Sequence, residues 1–183
     1  MIQSRLVVVL AFVMTASATA LARQDLRITP IPSEGRVLTS IVARDAWTLG
    51  TREVLQTGFE VAFEYEVELK RPAPLWFFDP VLARVRITAL AKFSTLTGRY
   101  QVTRMRNGHA VISAARSSEA EVREWLTTVD QVALDPVAPL EPNAEYYVHV
   151  RLTTRPRRSL SLWSLLPFGR EAHTGRADFT YIR

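Results

Sequence analysis

Twelve residues in the first half of the chain alternate without a break. From Phe59 to Lys70 the odd positions are Phe59, Val61, Phe63, Tyr65, Val67 and Leu69, and the even ones are Glu60, Ala62, Glu64, Glu66, Glu68 and Lys70. A period of two sends successive side chains to opposite faces of an extended backbone, so this stretch is a strand with one apolar face. Parallel strands buried on both faces lose such alternation. The chain is therefore committed to an antiparallel sheet whose other face meets water or charge.

A second long strand spans Val81 to Leu96, with Val85, Ile87, Ala89, Ala91 and Phe93 inward and Arg84, Arg86, Thr88 and Lys92 outward. Closing the two as a hairpin across Arg71 to Pro80 sets Glu66 near Arg84 and Glu64 near Arg86. Opposed charges across strands stabilise by a few tenths of a kcal/mol per pair. With that neutralising row opposite, the glutamates form a solvated salt ladder rather than a metal or acid–base site.

Weaker signals supply the remaining elements. Arg36 to Ala43 is a strand with Val37, Thr39, Ile41 and Ala43 on one face, and Asp45 can cap a helix that Gly58 ends in a left-handed conformation. Arg99 to Met105 and His109 to Ser113 flank Asn107-Gly108, a strong hairpin signal. Ser118-Glu119-Ala120-Glu121 is a capping box, followed by Val122, Trp125, Leu126 and Val129 at helical spacing. Pro136, Pro139 and Pro142 break the next stretch. Tyr146, Val148, Val150 and Leu152 mark a strand over Ala144 to Thr153, and Ala177, Phe179 and Tyr181 mark a last one. The expected fold is α+β: a mainly antiparallel sheet of six to seven strands, sandwich-like or strongly curved, with two short helices.

The first residues carry an address. Arg5 precedes the apolar run LVVVLAFVM (Leu6 to Met14), and small residues lead to A-x-A sites ending at Ala20 and Ala22. That order is the pattern of a secretory signal peptide over residues 1–22, cleaved after Ala22. Removing 22 of 183 residues leaves 161, enough for a single domain. Arg23 to Gly35, with Pro30 and Pro32, reads as an exposed linker, and residues 36–183 as the β-rich domain. Cysteine is absent, which excludes disulfides and lipidation at a cysteine. Without Arg5 the chain has 22 Lys plus Arg against 18 Asp plus Glu, and these are scattered along strands rather than clustered. That speaks against nucleic acid as a partner.

The run FEVAFEYEVELKR (Phe59 to Arg71), the aromatic turn ending WFFDP (Trp76 to Pro80) and LTGRYQVTR (Leu96 to Arg104) resemble a family of exported bacterial proteins, domain of unknown function 4390. The order of elements is similar to that family over nearly the whole mature chain, and the segment after Thr154 departs from it. The resemblance implies no known activity and no functional residues to carry over.

Chemistry is sparse. His109, His149 and His173 lie far apart, each without a second ligand at metal spacing, so no metal is expected. No G-x-S-x-G elbow and no glycine-rich phosphate loop occur, so neither catalysis nor a cofactor is expected. Two surface features remain. One is the turn Pro72 to Pro80, where Leu75, Trp76, Phe77 and Phe78 are consecutive large apolar residues. It either contacts a partner or membrane, or folds back as a cap on the core. The other is Arg155, Arg157 and Arg158 followed by Leu160, Leu162, Trp163, Leu165, Leu166 and Phe168, the composition of an interfacial membrane segment or of a loop packed on the sheet. The sequence thus points to a non-enzymatic, periplasmic or secreted interaction module that meets a cell-envelope protein or membrane surface. Its alternative is a carrier of an apolar ligand or lipid, held between the sheet and the helix at Trp125.

Overall fold

The computed structural model describes residues 26–73, 78–157 and 172–182. Among these residues, nine strands are arranged in two antiparallel sheets: β1 (Arg27–Ser33), β2 (Arg36–Val42) and β7 (Thr128–Leu134) form the smaller in the order β1-β2-β7. The larger contains β3 (Glu60–Lys70), β4 (Val81–Ser94), β5 (Arg99–Arg106), β6 (His109–Arg116), β8 (Glu145–Arg157) and β9 (Ala172–Thr180), in the order β6-β5-β4-β3-β8-β9. Helices α1 (Leu49–Gln56) and α2 (Glu119–Thr127) complete the α+β fold.

The alternating strand β3 lies at the centre of the larger sheet, flanked by β4 on one side and β8 on the other. Its odd residues Val61, Phe63, Tyr65, Val67 and Leu69 are buried with Val85, Ile87, Val148, Val150 and Leu152 in one core. Val37, Ile41, Val132 and Leu134 of the smaller sheet join that core, as do Leu55 of α1 and Val122 and Leu126 of α2. The small sheet and both helices thus cover the same face of the large sheet. Where Leu26 and β1 cross β9 the approach leaves little room for a side chain at Gly175. A Cβ on Gly175 would lie 2.9 Å from Ile28 Cδ1 and 3.0 Å from Leu26 Cβ.

Several local expectations are corrected. The stretch 23–35, expected to be a linker, supplies β1, and Leu26 is buried in the core. Its prolines suggest a break, but β1 is an edge strand, where a missing N–H costs no ladder bond on the solvent side. Glu34 (φ 48°) and Gly35 (φ 81°) turn it into β2 as a two-residue hairpin. Thr48, not Asp45, caps α1, accepting from the Thr51 N–H at 3.2 Å, while Asp45 sits in a preceding 3-10 turn. Gly58 ends the helix with φ 81°, as expected. Ser118 caps α2 and accepts from the Glu121 N–H, and the Glu121 carboxylate reaches back to the Ser117 N–H. Val129, expected on that helix, lies instead in the unanticipated strand β7 with its side chain in the core.

The register of the β3–β4 hairpin also differs. Glu66 lies opposite Arg86 and Glu68 opposite Arg84, two positions from the expected pairing. An irregularity beside the loop accounts for one of the two positions: Lys70 pairs with Val81 but Leu69 with Ala83, so Leu82 is an extra residue and β4 is displaced by one along β3.

Candidate interaction surface

The even residues of β3 point away from that core, and all of them but the fully buried Ala62 are charged. Arg84 grips Glu68 with its Nε at 2.7 Å and Nη2 at 2.5 Å, while Lys70 Nζ holds the other oxygen at 2.8 Å. His149 Nδ1 stands 3.7 Å from the same carboxylate. Burial pushes the Glu68 carboxyl up, but the hydrogen bonds and charges of Lys70 and Arg84 outweigh it and hold it below the usual range. Burial, helped by Lys70, lowers His149 against the pull of Glu68. Glu66 lies 3.8 Å from Arg84 and 3.7 Å from Arg86, and Glu64 lies 3.7 Å from Arg155 of β8. The glutamates are flanked by cations on both sides, so the ladder is richer than one hairpin would give.

At the Lys70 end this face meets the aromatic loop. Its stem closes where the Arg71 N–H donates to the Pro80 carbonyl at 3.3 Å. Asp79 pins the inside: Oδ1 accepts from the Ala73 N–H at 2.9 Å, and Oδ2 from the Tyr147 hydroxyl at 2.5 Å. Arg176 stacks on the Tyr147 ring at 3.7 Å, and Arg71 forks onto Glu141 with two bonds of 2.7 Å. The Tyr147 hydrogen bond, with that of Ala73, holds the Asp79 carboxyl below the ordinary aspartate range. Burial and then Asp79 push Tyr147 up to about 12. Beside the pinned Asp79, Phe78 is 87 % exposed. Trp76 and Phe77 lie outside the described residues.

The second feature divides. Arg155 is half-exposed on β8 and paired with Glu64, and Arg157 closes β8 opposite Glu60. Arg158 and Trp163 lie outside the described residues. Glu60 and Lys70 end β3 on opposite sides, so Arg155 and the aromatic loop sit roughly 25–30 Å apart at 3.3 Å per residue. They are two surfaces, not one patch.

One cluster went unnoticed in the sequence. Tyr100, Val102, Arg104 and Arg106 share the inward side of β5, so two arginines occupy apolar register. Arg104 Nη2 donates to the Trp125 and Thr128 carbonyls at 2.5 and 3.1 Å, and Arg106 Nη2 to Ala133 at 3.0 Å. Tyr65, its hydroxyl pushed far up by burial, donates to the Leu126 carbonyl at 2.6 Å. An arginine at every second position of a strand that otherwise turns inward is the signal that could have revealed it. Beside it, Arg104, Arg116, Glu121, Glu124, Trp125, Thr128 and Asp130 line an open cleft of about 450 Å³. Among the described residues no three His, Asp or Glu side chains gather as metal ligands, and no helix is long and apolar enough to cross a membrane.

The class these features define is an α+β two-sheet domain with one charged sheet face and a clamped loop at its end. The chain belongs to the family described as Domain of unknown function (DUF4390), which matches residues 23–163. No curated protein and no solved structure matches it.

Asp79 yields a pH test. Its folded pKa is depressed, so the clamp contributes fully above the ordinary aspartate value of about 3.9 and is lost as pH falls through the folded value. In an NMR titration the Ala73 amide, which reports on Asp79 Oδ1, is expected to shift with a midpoint below about 3.9. A midpoint at or above that value would show that the clamp does not favour the carboxylate.

Proposed function

We propose that the protein is a non-enzymatic interaction module of the cell envelope. It is exported by residues 1–22, cleaved after Ala22, and engages a partner protein through the loop at residues 72–80. The observation that carries this reading is the exposure of Phe78, at 87 %, next to a residue fixed by two hydrogen bonds. A large apolar side chain held out in water favours contact with a partner. A stem already fixed by Asp79, Tyr147 and Arg71 reduces the ordering cost of that contact. The charged lining of the cleft beside Trp125 favours this reading over a carrier of apolar ligand.

A photo-crosslinking aromatic residue placed at position 78 tests it in intact cells. The expected result is a discrete adduct with one envelope protein, in which the chain begins at Arg23 by mass spectrometry. The same probe at Thr174, on the exposed side of β9, should give none. No adduct at 78, or equal adducts at both positions, would overturn the reading.

A further inference from the structure

The described residues leave four sheet edges, and three are blunted in ways that oppose pairing with another strand. Strand β1 contains Pro30 and Pro32. Strand β7 is broken at Asp130-Gln131, where Gln131 has φ 51° and the ladder to β2 shifts register. Strand β9 carries Arg176 and Asp178, and its Gly175 is packed beneath β1. The fourth edge, β6, is different: from Ala110 to Ala115 it has no charge, no proline and no glycine. Val111 and Ile112 are 62 % and 49 % exposed. One irregularity exists, an extra residue at Val111 close to the turn, and beyond it Ile112 to Arg116 run in unbroken register with Arg104 to Tyr100.

We propose that β6 pairs with β6 of a second copy of this chain, antiparallel about a two-fold axis at Ser113, joining two six-stranded sheets into one. The strand is complementary to itself in that register. Ile112 lies beside Ala114 of the second copy, large against small on the core side. Ser113 meets its own copy, extending the Thr103–Ser113 hydroxyl contact of 3.3 Å across the junction. Arg116 meets Ala110, so no like charges are opposed. Moving the axis to Ala114 would set Ile112 against Arg116, and moving it to Ile112 would bring the Val111 irregularity next to the axis, whereas an axis at Ser113 leaves it near the end of the pair, opposite Ala115. Shifts of this size keep the core faces on one side, so only the side-chain fit selects among them. A foreign acidic strand finds less to read here, because Arg104 and Arg106 are committed to carbonyls on the core side.

A single edge strand buries less than a standard interface, so the dimer is weak and concentration-dependent. In sedimentation velocity the wild-type mass is expected to double as concentration rises. Ile112→Lys, at an exposed position, should stay monomeric over the same range with an unchanged circular dichroism spectrum. Cysteine is absent from the chain, so a Ser113→Cys variant can form a disulfide only between copies. Opposed Cα atoms in an antiparallel pair lie about 4.5–5.5 Å apart, within disulfide reach. Under a mild oxidant Ser113→Cys should crosslink at least about tenfold faster than Thr174→Cys on β9, as held proximity implies. A wild type monomeric at every concentration overturns the proposal, as do equal crosslinking rates or an Ile112→Lys variant that still dimerises. A monomer that instead captures an extended segment of another protein on β6 overturns it in favour of a foreign strand.

Discussion

Replacing Phe63 with alanine is expected to cost about 3–5 kcal/mol, the range of large aromatic truncations in packed cores. Phe63 is fully buried on the central strand, where Ala89 and Thr154 are its cross-strand neighbours. Both are small, and neither can expand into the space that the ring leaves. The lost burial is therefore compounded by a cavity. Its sequence neighbour supplies the contrast. Glu64 lies on the other face, its side chain 30 % exposed and 3.7 Å from Arg155. Glu64→Gln is expected to cost under about 1 kcal/mol, as exposed ion pairs do. Urea denaturation with unchanged m-values measures both. Against a total stability of about 5–15 kcal/mol, the first change removes a large fraction and the second almost none. Comparable losses would mean that the two faces of β3 are misassigned.

That contrast rests on a pattern legible in the sequence. Period-two alternation from Phe59 to Lys70 identifies the strand, the buried face and the charged face, because each is a local consequence of the pleat. What alternation does not contain is the pairing partner. The sequence suggested β4 as partner because it follows directly, whereas β8 pairs with the opposite side of β3 from some 80 residues further on. Half of the two-position slip against β4 was hidden for a related reason: an extra residue at Leu82 has no side-chain signature. Pro30 and Pro32 misled in another way. They forbid a central strand but not an edge, and edge position is a property of the assembled sheet.

The candidate surface divides along the same line. The aromatic turn is visible as composition, which leaves open whether it is exposed or folded back; Phe78 itself is exposed. The clamp beneath it was not, because Asp79 is fixed by Tyr147, 68 residues away in sequence. Without that bond Asp79 reads as an ordinary turn residue. The basic stretch at 155–158 has the composition of an interfacial segment or a packed loop, and composition does not show that Arg155 is a ladder member facing Glu64 once β8 is paired with β3.

Arg104→Met is expected to cost about 1.5–3 kcal/mol, the range for a hydrogen-bonded charged group at a partly buried site. Methionine keeps most of the apolar stem but cannot donate, so the Trp125 and Thr128 carbonyls lose their partner at the end of α2. A cation at that position also complements the negative end of the helix dipole. The guanidinium lies 4.3 Å over the Trp125 ring, so the substitution removes a cation–π contact as well. Arg104→Lys should fall between wild type and methionine, since a single ammonium keeps the charge but lacks the planar fork. Tyr65 provides the independent check. Its hydroxyl holds the intervening Leu126 carbonyl, so two strands anchor one helix end through adjacent carbonyls. If that end behaves as a unit, combining Tyr65→Phe with Arg104→Met should cost less than the sum of the two single changes, because the first loosens what the second holds. Denaturant unfolding of the four proteins in the cycle measures the coupling. Strict additivity, or an Arg104→Met loss within about 0.5 kcal/mol of zero, would show that α2 is held by its apolar face alone.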